Sequence, residues 1–163
     1  MVQGRSDPPG PGAAAGPGRA GAGFELLEHT ADVGIRAWAG TLEEAFERAT
    51  EGLAVVMGAL APGGSAGGSG PGDTVPVEVA ASDPGGLLVD WLNEVLWLLE
   101  VSQAALAGVR VDRVGDGTAS GSVDVAPGGP DADGTFVKAV TYHRLRVEPG
   151  PGGGWLAEVY LDV

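Results

Sequence analysis

Apolar positions along the chain fall into two long helical stripes and a series of shorter runs. Leu42, Ala45, Phe46, Ala49, Leu53 and Val56 recur at three- and four-residue steps up to Gly58, which is the spacing of one apolar helix face. Thr41-Leu42-Glu43-Glu44 opens this stripe as a capping box, threonine and glutamate satisfying each other's free backbone N–H groups. A second stripe, Leu87, Leu88, Trp91, Leu92, Val95, Leu96 and Leu99, follows Asp83-Pro84, an acceptor at the N-cap with proline at the first helical position. It is wide enough for a helix largely covered by a sheet.

The shorter runs read as strands. Residues 24–28 and 33–38 flank a polar bend, and 75–81 form a strand that Pro76 confines to an edge or a strand start. Residues 109–114 and 120–125 predict a hairpin around Gly115-Asp116-Gly117, a turn sequence that tolerates positive φ. Residues 136–147 and 155–163 pair across a glycine-rich turn at 150–154. Two helices among seven such strands predict an α+β fold, both helices packed on a mostly antiparallel six- to seven-stranded sheet or sandwich.

Composition changes this picture at the margins. Of 163 residues, 30 are Gly and 12 Pro, near the level at which low-complexity segments are expected. They concentrate at 1–23, expected to be a disordered Gly/Pro/Ala-rich tail, and at 61–74, expected to be a flexible loop. Residues 24–163 then make one domain. The tail lacks the apolar core of a secretory signal, and no apolar run approaches the roughly 20 residues needed to cross a bilayer. A cytoplasmic location, away from membranes, is the resulting expectation.

Charge narrows the chemistry. Nine Lys and Arg against 22 Asp and Glu give a net charge of −13, which makes a poor stand-alone binder of phosphate backbones. With no cysteine, disulfides, thiolate zinc sites and thiol catalysis are excluded. No phosphate-binding glycine loop surrounds Lys138, and no G-x-S-x-G elbow is present.

Four stretches hold polar residues that strand alternation does not explain. Glu28-His29-Thr30-Ala31-Asp32-Val33-Gly34 reads either as a bulge with Thr30 and Asp32 bonded to local backbone, or as a site. At Val159-Tyr160-Leu161-Asp162-Val163 an alternating strand runs to the last residue, so that the Asp162 carboxylate stands beside the α-carboxylate of Val163. Such a pair suits a hard cation if a third carboxylate comes near; the alternative is a solvated terminus. In residues 138–143, alternation puts Lys138, Val140 and Tyr142 on one face and Ala139, Thr141 and His143 on the other, either a polar site or an ordinary amphipathic strand. Asp90-Trp91-Leu92-Asn93-Glu94 reads as the solvated edge of the second helix. His29 and His143 could join Asp32 at zinc, though no spacing demands it.

Four blocks, FELLEHTADVG at 24–34, LLVDWLNEVLWLL at 87–99, VKAVTYH at 137–143 and WLAEVYLDV at 155–163, occur in an order that closely resembles the archease family. That resemblance implies a fold of nested strand-helix-strand-strand units. It also implies a protein cofactor rather than an enzyme, one that helps an RtcB-type RNA ligase in tRNA splicing or RNA repair to become guanylylated and turn over repeatedly, with RNA met only through the ligase. A divalent metal, described as calcium in several members, is implied at Asp32, Asp162 and Val163, the last through its main-chain or terminal oxygen. Glu28, His29, Lys138 and His143 would be supporting or partner-contact residues. The competing expectations are a small metal-dependent phosphohydrolase using the same carboxylates and a chaperone-like modulator of a tRNA-modifying methyltransferase.

Overall fold

A computed structural model of the chain describes residues 21–28, 32–66 and 72–163, with 62–66 described by backbone alone. The element order is β1 (Gly23–Glu28), β2 (Asp32–Ala39), α1 (Leu42–Met57), β3 (Leu60–Ala66), β4 (Asp73–Ala80), α2 (Pro84–Ser102), β5 (Ala104–Gly115), β6 (Thr118–Pro127), β7 (Ala139–Pro149) and β8 (Trp155–Asp162). Both helices start where their caps lie in the sequence. The Thr41 hydroxyl accepts from the Glu44 amide at 3.2 Å, and the Asp83 carboxylate accepts from the Gly86 amide at 2.7 Å, each satisfying an otherwise orphaned N–H.

The strands form two four-stranded sheets, β1-β2-β8-β7 and β3-β5-β6-β4. All pairs are antiparallel except β3 with β5. The α+β class is as expected. Each helix packs against strands of both sheets, so the helices form a middle layer instead of lying on one sheet. This explains why both bury most of their circumference. In that layer Trp91 and Phe46 are fully enclosed. The Trp91 indole N–H donates to the Thr50 hydroxyl at 3.0 Å, which donates to the Phe46 carbonyl at 2.7 Å, so these two buried side chains are both paired.

The expected loop at 61–74 is corrected at its start, because Leu60–Ala66 is the strand β3. Its sequence has no apolar alternation; what orders it is parallel pairing with β5. The β5–β6 hairpin turns where expected, with Asp116 at φ 53° and Gly117 at φ 76°, the two positive φ values that a two-residue hairpin turn matching strand twist requires. Strand β7 departs from simple alternation. Thr141 pairs with Tyr160 but Arg146 pairs with Glu158, so β7 spends five steps where β8 spends two, and a wide bulge carries Tyr142, His143 and Arg144 outward. The expected common face for Lys138, Val140 and Tyr142 is therefore corrected: Val140 is core, whereas Lys138 and Tyr142 are exposed.

Candidate functional site

Strand register decides what the polar bend and the last residues have to do with each other. Strands β2 and β8 pair antiparallel from Ala39 with Trp155 to Asp32 with Asp162. Residues directly opposite in such a pair point to the same face, with Cβ atoms about 4.5–5.5 Å apart. Ile35, Ala37, Ala157, Val159 and Leu161 are turned to the helices and are buried. Alternation then sends Asp32, Gly34 and Arg36 of β2, and Asp162, Tyr160 and Glu158 of β8, to the outer face. Asp32 and Asp162 are thus cross-strand neighbours at one end of that face. Ala139 of β7 pairs with Asp162 on its other side, and the Lys138 amide donates to the Asp162 carbonyl at 2.8 Å.

Behind this carboxylate pair stands a built polar cluster. Glu158 is only 5% exposed. It accepts from Arg36 Nε at 2.9 Å and from the Tyr160 hydroxyl at 3.0 Å, with Arg146 Nη1 at 3.5 Å. Arg36 also reaches Glu25 at 2.9 Å. The hydrogen bond from Arg36 to Glu158 holds the guanidinium's proton more tightly than usual, against the opposing effect of burial. The Tyr160 ring lies across β2 at Gly34, where an added Cβ would sit 2.8 Å from Tyr160 Cε1. The β7 bulge closes over the same ring: His143 meets it edge-on with centroids 6.1 Å apart, and the Arg144 guanidinium lies 5.9 Å from its centroid. Arg144 takes φ 52°, a left-handed conformation uncommon for a non-glycine residue and typical of bulges that re-aim side chains.

Of the candidates named from sequence, Asp32 and Asp162 come together at one end of the outer face, whereas Val163 follows the end of β8 with its side chain packed against the core. Lys138 and His143 stand on the neighbouring strand and its lead-in. Glu28 pairs with Val33, so its side chain leaves from the opposite face to Asp32. His29 lies outside the described residues, as do Thr30 and Ala31. Sequence reading passed over Tyr160, Glu158, Arg36 and Arg144. It also treated Asn93 as solvated. That reading is corrected: the Asn93 amide group donates to the Val140 carbonyl at 3.0 Å and accepts from the Val140 amide at 2.9 Å, acting as one residue of a missing strand beside β7.

The donor set can be tested against a metal. Two carboxylates on opposed residues offer oxygen alone, which suits a hard divalent cation and not a soft one. No third His, Asp or Glu joins them among the described residues. The pair therefore fits a cation completed by main-chain oxygen or water, the pattern in which calcium sites commonly draw on the backbone.

Taken together, this is an acidic α+β protein with two helices between two sheets and a carboxylate pair at one end of an open sheet face. The chain matches the Archease protein family over residues 24–163, and it belongs to that family. The protein archease of Thermococcus gammatolerans is 35% identical over 148 residues, covering 86% of this chain and 98% of that protein. That of Methanosarcina acetivorans is 34% identical over 147 residues, covering 86% and 95%. Among solved structures, Methanobacterium thermoautotrophicum protein 1598 superposes with a TM-score of 0.62 at 30% identity, covering 86% of this chain and 99% of that one. A Thermotoga maritima archease, described as a possible chaperone, has a TM-score of 0.55 at 23% identity, covering 85% and 96%, a likeness of fold. No helix among the described residues is long and apolar enough to cross a membrane.

Proposed function

We propose that the chain is a cytoplasmic protein cofactor of an RtcB-type RNA ligase, promoting the ligase's guanylylation and repeated turnover in tRNA splicing or RNA repair. Asp32 and Asp162, with the main-chain or terminal oxygen of Val163, would hold a divalent cation, a hard one by its oxygen donors and calcium by the family resemblance. The cation, when bound, supplies positive charge that offsets carboxylate repulsion and can be shared with oxygens of a partner. The chain's own residues do the rest. Asp32 and Asp162 are fixed by strand register. The Glu158 cluster and the Tyr160 ring stiffen the sheet behind them, and the β7 bulge presents His143, with Lys138 nearby, as contacts for the ligase.

The observation that supports this reading best is the direct pairing of Asp32 with Asp162, residues 130 positions apart in the chain. An acidic surface of this kind favours a basic partner through complementary potential, and a cofactor acts by binding one state of that partner better than another. To test it, the full chain is mixed with the RtcB-type ligase of its own organism and GTP, and ligase guanylylation is followed. Asp32→Ala is expected to lower the stimulation tenfold or more with the melting temperature unchanged. Undiminished stimulation by a folded Asp32→Ala protein overturns the proposal, as does metal-dependent phosphate release by the isolated chain, which belongs to the hydrolase alternative.

A further inference from the structure

Helix α2 has a solvent-facing ridge that the core does not use. Asp90, Glu94, Trp97 and Val101 follow one another at helical steps along it. Trp97 is 57% and Val101 61% exposed, although the rest of the helix is among the most buried in the molecule. Between this ridge and the end of β4 lies a groove of about 470 Å³ lined by Val79, Ala80, Asp90, Asn93, Glu94 and Trp97. Its α2 wall carries Asp90 and Glu94, and neither α2 nor β4 carries a Lys or Arg. Among the described residues, neither acid forms an ion pair.

The ridge is continuous with the carboxylate pair. Asn93 holds Val140 by both backbone groups, and the neighbouring Ala139 is paired with Asp162. Strand β7 runs antiparallel to α2, since Leu145 lies against Gly85 while Val140 lies against Asn93. The C-terminal half of α2, with Trp97 and Val101, therefore extends toward the same end of the molecule as Lys138 and Asp162.

We infer that the Trp97 ridge of α2 is a docking surface for a basic protein segment, in which an arginine or lysine bearing an apolar stem lies over the Trp97 indole while further cations meet Asp90 and Glu94. The occupant follows from the charge: an exposed tryptophan set among unpaired carboxylates offers a cation both the ring face and the counter-ions, and central aromatic anchors ringed by polar groups dominate protein–protein affinity. A second copy of this acidic chain would bring its own carboxylates to the same groove. The inference rests on the ligase reading in that the partner bound here is the one engaged at Asp32 and Asp162, with the α2 ridge extending the contact.

The test measures binding of the full-length chain to the RtcB-type ligase of its organism by interferometry at two salt concentrations. Trp97→Ala is expected to weaken binding about tenfold, and Glu94→Lys to weaken it and flatten the salt dependence. Both sites are exposed, so melting temperatures should match the parent's. If the parent binds and both variants bind equally well, the docking inference falls while the ligase reading stands. If the parent does not bind the ligase at all, the ligase reading falls first. A dimer in sedimentation that Trp97→Ala dissolves would assign the ridge to self-association and overturn the inference.

Discussion

Gly34 determines whether the Tyr160 ring can lie across β2. A methyl group there would come within 2.8 Å of Tyr160 Cε1 and 3.0 Å of Leu27 Cβ, and neither neighbour is the free end of a flexible chain. Gly34→Ala should therefore cost about 1–3 kcal/mol in chemical denaturation, the usual range for overpacking, and displace Tyr160 from the ring contact with His143. Tyrosine fluorescence and the chemical shifts of His143 would report that displacement. Asp32 and Asp162 each stood out in the sequence as an acid at a bend or a strand end, but their meeting was expected only from the family resemblance. Tyr160, Glu158 and Arg36 did not stand out, since each is an outward residue of an alternating strand. Only the register, which joins Arg36 to Glu158 across β2 and β8, turns them into a cluster.

At the scale of elements, α1 completes the far sheet with its own carboxylates. Glu47 accepts from the Val111 amide at 2.9 Å and Glu43 from the Val114 amide at 3.2 Å, satisfying strand β5 near its bulge between Val111 and Arg113. Burial holds the Glu47 carboxyl above the usual carboxylate range, more than the Val111 hydrogen bond and Arg48 lower it. Because the folded value is raised, this group favours the fold fully below its ordinary value of 4.5, and that contribution is lost as pH rises through the folded value. Glu47→Gln, which can still accept from Val111, should raise the melting temperature at neutral pH, with the gain vanishing near pH 4. Glu78→Gln, an exposed acid with the same change of charge, is the control. Both helices could be read from their caps and periodicity. Strand β3 could not, because Leu60-Ala61-Pro62-Gly63-Gly64-Ser65-Ala66 has no strand pattern and is ordered by its neighbour. The β7 bulge escaped for a related reason: its three extra residues keep an amphipathic appearance while breaking the register.

At the scale of the whole molecule, two layers of paired strands around two buried helices leave the outer face of the β1-β2-β8-β7 sheet clear of helix, and a net charge of −13 sets what can approach it. If Asp32 and Asp162 share a cation, ligand linkage stabilises the fold by about 2.7 kcal/mol at a hundredfold excess over the dissociation constant. Calcium should then raise the melting temperature of the parent and leave that of Asp32→Asn unmoved. An equal shift in both would place the cation elsewhere. The most direct measurement of whether the two aspartates act as one unit is a double-mutant cycle read in ligase turnovers, comparing Asp32→Asn, Asp162→Asn and the double variant, all checked for folding. Groups that work together fail together. The account predicts that the double variant loses no more stimulation than either single one, whereas losses that multiply would contradict it.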